Sequence, residues 1–234
     1  MVLRRQMDLI ANNIANMSTP AYKAERMVFI EYLAPTEEGE DLSYVQDVAQ
    51  VRNVAEGSLA TTGNTFDLAI KGNGYFVVDT PLGHRYTRNG HFTTDEAGRL
   101  TNSNGDLVLD TNDQPIVIPE DSVNVTIALD GSISAGASEA FETSNEIAQI
   151  KLVAFANEQD LDLVGSSLYN TAQQPLPASD SVIYQGMVEE SNVQPVLELT
   201  RMIATHRAYE AANNLVQAAD ELERLAIDVL SRVA

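Results

Sequence analysis

The amino-acid sequence predicts an α+β protein in which N- and C-terminal helices pack as a coiled-coil-like stalk and the middle of the chain forms an antiparallel β domain. Apolar residues near both ends recur at helical spacing, whereas the middle has short apolar runs separated by turn signals. We therefore divide the chain into an N-terminal helix of a terminal helical domain (1–26), an extended linker (27–67), a β-rich outer domain (68–187) and the C-terminal helix of the helical domain (188–234).

The first predicted helix carries a narrow apolar stripe. Its apolar residues are spaced four, three and four positions apart, as in an amphipathic helix, and are Leu3, Met7, Ile10 and Ile14. Ser18-Thr19-Pro20 follows them, and a proline disfavours helical geometry at the preceding residue. We therefore expect the helix to end near Asn16.

The linker has a different character. It contains the acidic run 35–41 and then alternating valines at Val45, Val48, Val51 and Val54. This pattern predicts an extended connector with one strand or hairpin.

Short β-type runs alternate with turns from about Leu68 to Tyr184. The runs are 75–78, 85–87, 91–93, 116–118, 123–127 and 150–155. Asn89-Gly90, Asn104-Gly105 and Asp130-Gly131 lie between runs and are strong hairpin signals, because both residues of such pairs tolerate positive φ. Since no glycine-rich turn links a strand to a helix, the pattern favours an antiparallel β domain over a parallel α/β sheet.

The C-terminal helix is the longest predicted element. Ser191-Asn192 can cap it, Pro195 is tolerated in its first turn, and no further glycine or proline follows. Apolar positions at heptad-like spacing include Met202, Tyr209, Val216, Leu222 and Val229. About forty residues make a helix about 60 Å long. A small domain cannot cover such a stripe, so we expect helical partners.

The composition disfavours several classes of binding partner. The 234 residues include 34 acidic and 14 basic side chains and no cysteine, for a net charge of -20. This charge disfavours nucleic-acid partners and anionic membrane surfaces. No apolar run approaches the roughly 18 residues that span a bilayer, and the start lacks the apolar block of a cleaved signal peptide. We expect no direct membrane insertion.

No catalytic or metal-binding pattern occurs in the sequence. His84, His91 and His206 lack the spacing of a ligand pair, and the Gly-x-Ser-x-Gly elbow is absent. The aspartates that could pair for glycoside hydrolysis lie mostly in turns, where local hydrogen bonds favour them; they are Asp79, Asp95, Asp106, Asp110 and Asp130. A calcium-loop pattern starting at Asp110 fails at Pro115 and Asp121. We expect no cofactor, no metal and no enzymatic activity.

Three segments resemble the flagellar rod and hook protein family. They are the Asn-rich helix 7–16 with its stop at 18–23, a long run from Thr62 to Gly105 that includes Gly72-Asn73-Gly74-Tyr75-Phe76, and 185–196 continuing into Met202-Ile203 and 207–210. They occur in the family's order, and 123–177 is the least diagnostic region. The stop reads Pro20-Ala21-Tyr22 where the family usually has Gly-Phe, which we expect to keep the break and change the turn. The chain also begins later than family chains usually do, so we expect a shorter first helix.

The resemblance implies a structural subunit of the periplasm-spanning rod of the flagellar basal body, which transmits torque. In this family the terminal helices form the inner layer of an axial tube, with the β domain outside it. Subunits pass unfolded through the flagellar export apparatus without a cleaved signal peptide. The implied partners are further copies of the chain, other rod and axial proteins, and the export apparatus. The length and the segment 191–196 favour the proximal rod over the distal rod.

The predicted assembly interface lies on the two terminal helices. It comprises Leu3, Met7, Ile10, Asn12, Asn13, Ile14, Asn16, Met202, Tyr209, Val216, Leu222 and Val229. The three asparagines are either helix-surface polar groups with a C-terminal cap, or hydrogen-bonding groups between subunits; the resemblance favours the second.

Three alternatives stay open. Within the family, the alternative to a proximal-rod subunit is a distal-rod or hook-type subunit. Outside the family, it is a β-rich binding module with a helical oligomerisation stalk, and a hydrolase using scattered aspartates comes third. For a rod subunit we expect proteolysis to remove both ends and leave a core near Leu68–Gln185.

Overall fold

The computed structural model is an α+β structure with an antiparallel β region in the middle of the sequence and a long C-terminal helix, which confirms the predicted α+β class and the central β domain. The coiled-coil-like stalk stays a prediction. The structure describes the backbone of residues 2–34, 42–122, 124–136 and 145–233, and their side chains except those of 29–34, 42–48, 145 and 226–233. The residues group into two compact units. The helical unit comprises Met1–Met17, Glu25–Val51 and Val193–Ala234, and the β unit comprises Ser18–Ala24 and Arg52–Asn192.

The helical unit contains two helices and a two-stranded hairpin. They are α1 (Val2–Ala15), β1 (Glu25–Ala34), β2 (Leu42–Arg52) and α2 (Pro195–Val233). The predicted linker therefore contains most of a hairpin, and the predicted domain boundaries remain predictions. Proline at the first position of α2 agrees with the sequence analysis, since its missing N–H has no helical acceptor there.

Helix α1 packs against β1 and the first turns of α2. Its buried residues are Leu9, Ile10 and Asn13, and α2 contributes Glu198 and Thr205, seven residues apart on one face. The end of α1 lies beside the start of α2, so the two helices run in opposite directions along their contact.

The far part of α2 has no such cover within the helical unit. The 14 residues of α1 are about 21 Å long, whereas the 39 residues of α2 extend over about 58 Å. Every side chain from His206 to Leu225 is exposed.

The β unit is built from short antiparallel strands. They are β3 (Leu59–Thr61), β4 (Leu68–Lys71), β5 (Tyr75–Thr80), β6 (Gly83–Thr87), β7 (Phe92–Thr94), β8 (Leu100–Asn102), β9 (Leu107–Val108), β10 (Asn124–Ile127), β11 (Ser132–Gly136), β12 (Asn145–Gln149), β13 (Leu152–Ala154), β14 (Asp162–Gly165), β15 (Leu168–Asn170), β16 (Leu176–Pro177), β17 (Val182–Gln185) and β18 (Met187–Glu189). The largest sheet has the order β14-β15-β6-β5-β9-β8-β7, with β13 also paired to β5 and β16 paired to β13. Smaller sheets pair β10-β11-β12, β17-β4 and β18-β3.

Strand β5 has a continuous apolar run because both of its faces are buried. Phe76 and Val78 belong to one buried cluster, while Tyr75 and Val77 belong to another, so both faces of the strand are covered. The Phe76 ring meets Phe92 edge to face at 5.1 Å between centroids. A strand buried on both faces reads as an unbroken hydrophobic run.

One predicted strand is absent. Within the run 116–118, Val117 makes only an isolated bridge with Arg99, and the neighbouring Pro115 makes another with Leu109. Prolines at 115 and 119 lack the N–H groups that a ladder requires. The alternation of buried and exposed side chains expected of a strand is nevertheless present, because Ile116 and Ile118 are buried and Val117 between them is exposed.

The segment Ser18–Ala24, here called the N-terminal segment, belongs to the β unit. Ala21, Lys23 and Ala24 are buried, and the Ala21 N–H donates to the Glu189 carbonyl at 2.8 Å. Ala21 stands where the family pattern has glycine, and its φ of 57° lies in the left-handed region that glycine tolerates best. The helix stop therefore keeps a glycine-like turn despite the alanine. Neither described helix carries an apolar stretch long enough to cross a membrane.

Candidate assembly interface

The predicted interface residues of α1 are largely occupied inside the helical unit. Ile10 is buried, and Leu3, Met7 and Ile14 are half-buried. The apolar stripe of α1 therefore meets β1 and α2 of its own chain, and only its half-exposed rim is open to another subunit.

Asn13 has a role that neither sequence alternative included. Its side chain donates to the Glu25 carbonyl at 2.9 Å and accepts from the Glu25 N–H at 3.0 Å. It also lies 3.4 Å from the Glu198 carboxylate. Asn13 thereby joins the end of α1 to the starts of β1 and α2. Asn16 donates to the Asn12 carbonyl at 2.9 Å, which is a capping bond, and Asn12 is exposed.

The predicted residues of α2 are increasingly exposed along the helix. Met202 is half-buried, whereas Tyr209, Val216 and Leu222 are 38 %, 60 % and 67 % exposed. The Val229 side chain lies outside the described side chains.

The exposed part of α2 carries two apolar stripes where the sequence analysis assumed one. Val216 lies in line with Glu198 and Thr205, so it continues the face that α1 covers. At about 100° per residue, Leu222 lies about 120° around the helix from Val216. The second stripe comprises Leu197, Ala204, Ala208, Ala211, Leu215, Ala218 and Leu222. Two stripes offer surfaces for two helical neighbours.

The polar groups considered for chemistry are held by local bonds. Asp95 accepts from the N–H groups of Ala97 and Arg99, and Asp130 accepts from that of Ser132. A side-chain bond from Arg99 holds the pKa of Asp95 below its usual value, and the Ser132 N–H does the same for Asp130. Among the described residues no three acidic or histidine side chains converge on a possible metal site.

The β unit contains a buried group of charges, here called the ionic core, which consists of Lys23, Arg88 and Glu189. The Glu189 carboxylate accepts from Lys23 Nζ at 2.6 Å and from Arg88 Nε at 2.8 Å. All three side chains are at most 3 % exposed. The Gly57 N–H donates to the same carboxylate at 2.9 Å.

Carbonyl groups accept from further donors of the ionic core. Lys23 donates to the Ala55 carbonyl at 2.8 Å, and the Arg88 guanidinium donates to those of Gly72 and Gly74 at 3.0 and 3.1 Å. This matters because a buried charge without partners is costly. The ionic core was not predictable from the sequence, since its members are dispersed along the chain and follow no periodic pattern.

The pKa values in the ionic core show which interactions dominate. Burial acts to raise the pKa of Glu189, but Arg88 and Lys23 outweigh burial and hold that pKa below its usual value. For Lys23, burial lowers the pKa more than Glu189 raises it. Burial acts to lower the pKa of Arg88, but Glu189, with smaller contributions from Tyr75 and Glu56, holds that pKa above its usual value.

The stability of the β unit is expected to depend on pH through Glu189. A carboxylate whose folded pKa is lowered adds stability above its unfolded pKa, near 4.5, and that stability disappears as the pH falls through the folded pKa. We expect the free energy of unfolding of the wild type to drop below about pH 4.5, and that of Glu189→Gln to drop less. Urea unfolding at several pH values measures both. Equal pH dependence in the two proteins would contradict this role for Glu189.

Asn192 joins the segments by which the chain enters and leaves the β unit. Its side-chain oxygen accepts from the Ala24 N–H at 2.7 Å, and its amide group donates to the carbonyls of Asn53 and Ala55 at 2.8 and 2.7 Å. From the sequence, Asn192 is predicted to cap the C-terminal helix. The helix begins three residues later, where the Glu198 N–H donates to the Gln194 carbonyl, so the amide is free for this other task.

Comparison with known families gives three matches in sequence order. Residues 1–23 match the model described as flagella basal body rod protein. Residues 69–135 match the flagellar hook protein FlgE/F/G D1 domain, and residues 184–229 match the flagellar basal body rod FlgEFG protein C-terminal model.

Similar proteins extend over nearly the whole chain. The flagellar basal-body rod protein FlgF of Caulobacter vibrioides is 39 % identical, over 100 % of this chain and 95 % of its own length. FlgF of Mesorhizobium japonicum is 36 % identical, over 90 % and 85 %. The flagellar basal-body rod protein FlgG of Bacillus subtilis is 32 % identical, over 93 % and 90 %.

Proposed function

Because the chain belongs to the flagellar rod and hook protein family and is a structural subunit of the basal-body rod, we propose that it assembles into the proximal rod through its terminal helices. The observation that carries this proposal is the exposed part of α2, residues 206–225, with its two apolar stripes. In this proposal the protein transmits torque and has no catalytic activity.

The exposed length of α2 supports association with other helices. An isolated helix gains most of its stability by burying an apolar face. Leu215, Val216 and Leu222 are each at least 60 % exposed in the single subunit. Contact with helices of neighbouring subunits removes these side chains from water, at about 25 cal/mol for each Å² buried. We propose that α1, α2 and their counterparts form the coiled-coil-like stalk on assembly.

The partners follow from the same proposal. They are further copies of this chain or other rod and axial proteins, and the flagellar export apparatus, which carries the chain without a cleaved signal peptide. The two FlgF relatives support the proximal position. A distal-rod subunit is the second candidate, because FlgG of Bacillus subtilis is also 32 % identical over most of its length.

Quantitative mass spectrometry of purified hook–basal bodies tests the proposal, together with electron microscopy of a strain that lacks the protein. We expect few copies per basal body and rods that stop early in the mutant. Many copies would favour the distal rod, whereas absence from basal bodies with intact flagella would refute a rod role.

Limited proteolysis should leave a larger core than the sequence predicted. The structure places the N-terminal segment and residues 52–67 in the β unit, so a core of 68–185 would lack Lys23 and Asn192. Arg52 is also fixed, because its guanidinium donates to the Leu161 carbonyl at 2.8 Å and lies over the Tyr169 ring. We expect a resistant fragment that begins before Ser18, ends after Asn192, and has lost the exposed part of α2. Mass spectrometry of the fragments measures this, and a stable core that starts at Leu68 would contradict it.

A further inference from the structure

Three asparagine–glycine pairs occur in turns of the β unit, and they differ in exposure and in how tightly their backbone is held. They are Asn73-Gly74, Asn89-Gly90 and Asn104-Gly105. In such a pair the backbone nitrogen of the glycine can attack the asparagine side-chain carbonyl, because glycine has no side chain to obstruct the approach. The reaction needs an exposed amide and a backbone that can move into a five-membered ring.

Asn104-Gly105 meets both requirements. It forms the tip of the turn between β8 and β9, and both residues are exposed. The Asn104 side chain makes no hydrogen bond to any described residue, while its backbone N–H donates to the Asn102 side-chain oxygen at 2.9 Å. A Cβ placed on Gly105 would have no heavy atom within 4 Å, so the surrounding space is open. The Gly105 N–H is held only by a turn bond to the Asn102 carbonyl at 3.0 Å, and bonds at exposed turn tips open readily.

Asn89-Gly90 is restrained on all sides. The Asn89 side chain accepts from the His91 N–H at 3.1 Å, and the Leu68 N–H donates to the Gly90 carbonyl at 2.9 Å. Gly90 is buried, and a Cβ built on it would lie 1.7 Å from the Leu68 carbonyl oxygen. Close-packed backbone of this kind cannot rearrange without local unfolding.

Asn73-Gly74 is intermediate. Asn73 is exposed, but Gly74 is buried and its carbonyl accepts from Arg88 of the ionic core at 3.1 Å. The Gly74 N–H also donates to the Gly72 carbonyl at 3.0 Å. Opening this turn would disturb the buried charges.

We propose that Asn104 is a site of spontaneous deamidation in the folded protein. The Gly105 nitrogen forms a bond to the Asn104 side-chain carbon and loses its proton, while the carbon–nitrogen bond of the amide breaks and ammonia leaves. Water then opens the cyclic imide at either carbonyl, giving aspartate or isoaspartate at position 104. The net reaction consumes one water and releases one ammonia, with no oxidation or reduction.

The modification changes the character of a groove in the β unit. Asn104 lines a groove whose side chains are all asparagine, serine or threonine, Asn102, Ser103 and Ser167 among them. A carboxylate at position 104 is the first charge in that groove. In addition, isoaspartate inserts an extra backbone atom into the turn that precedes β9.

Peptide mapping of the full chain after incubation at mildly alkaline pH tests the proposal. Tandem mass spectrometry follows the acid product at each pair over time. In native protein we expect Asn104 to react at least about tenfold faster than Asn89, with Asn73 between them, since local opening limits the slower sites. In concentrated urea we expect the three rates to converge, because all three sites are the same Asn-Gly dipeptide and the folded structure no longer restrains them.

The Asn104→Ser variant is the matched control. This variant should form no acid product at position 104, while Asn73 and Asn89 react as before. Native rates at Asn89 equal to those at Asn104, or no product at Asn104 under conditions that deamidate the urea-unfolded chain, would overturn the proposal.

Discussion

Replacing Val216 by aspartate should exclude the protein from assembled rods while the free subunit stays as stable as the wild type. Val216 is 60 % exposed in the single subunit, so the new carboxylate remains hydrated there. In the proposed assembly the same position lies between helices, where an unpaired buried charge costs at least about 3 kcal/mol. That cost corresponds to a loss of incorporation of at least about 100-fold. Quantification of the variant in purified basal bodies measures the effect.

The Gln217→Asp variant is the control for this substitution. It adds the same charge to an exposed position one residue further along the helix, about 100° away from the Val216 stripe. We expect it to incorporate nearly normally. If Val216→Asp enters rods as well as Gln217→Asp does, the face that contains Val216 is not an assembly surface.

Replacing Glu189 by alanine should destabilise the β unit by about 3–5 kcal/mol. The substitution leaves the buried charges of Lys23 and Arg88 without their shared carboxylate. It also leaves the Gly57 N–H without its acceptor. Domains have about 5–15 kcal/mol of stability in total, so the variant is expected to be marginally folded. Urea unfolding at neutral pH measures the loss.

Two further variants test whether the loss of stability in Glu189→Ala comes from the unbalanced charges of the ionic core. Glu190→Ala removes the adjacent exposed carboxylate, which accepts from Ser58 at 2.5 Å, and should cost less than about 1 kcal/mol. Lys23→Met removes the cation whose pKa burial lowers, and leaves the Arg88–Glu189 pair balanced. We expect it to cost about 1–2 kcal/mol, mainly for the lost hydrogen bond to the Ala55 carbonyl, which keeps its bond from Asn192. A loss equal to that of Glu189→Ala would show that charge imbalance is not the cause.

Elements with a regular period were predictable from the sequence. The observed α1 (Val2–Ala15) and α2 (Pro195–Val233) follow the predicted apolar spacing and proline positions closely. The run 75–78 became β5, and the turn signal Asn104-Gly105 lies between β8 and β9. Local patterns of this kind are set by residues within a few positions of one another, which the sequence displays directly.

Features that depend on distant residues were not predictable. Lys23 and Glu189 are 166 positions apart, and nothing near either residue signals the other. Asn192 was assigned to a helix end because Ser-Asn precedes an apolar run, but its amide bonds to Ala24, Asn53 and Ala55 are tertiary. The second stripe of α2 was missed because Leu222 was counted on the Val216 side. On a straight helix six residues make about 600°, well short of two full turns.

The contacts of the N-terminal segment also bear on the order in which parts of the β unit can fold. Lys23 and Ala21 of this segment bond to Glu189, so the earliest part of the chain closes a contact with one of the latest. Contacts of such high sequence separation slow folding, because a long loop must close before they contribute any energy. A chain emerging from the ribosome lacks residue 189 until all the residues between Lys23 and Glu189 have been made. Until then the ionic core has no carboxylate, and the nascent chain stays open for longer than a chain folding through local contacts.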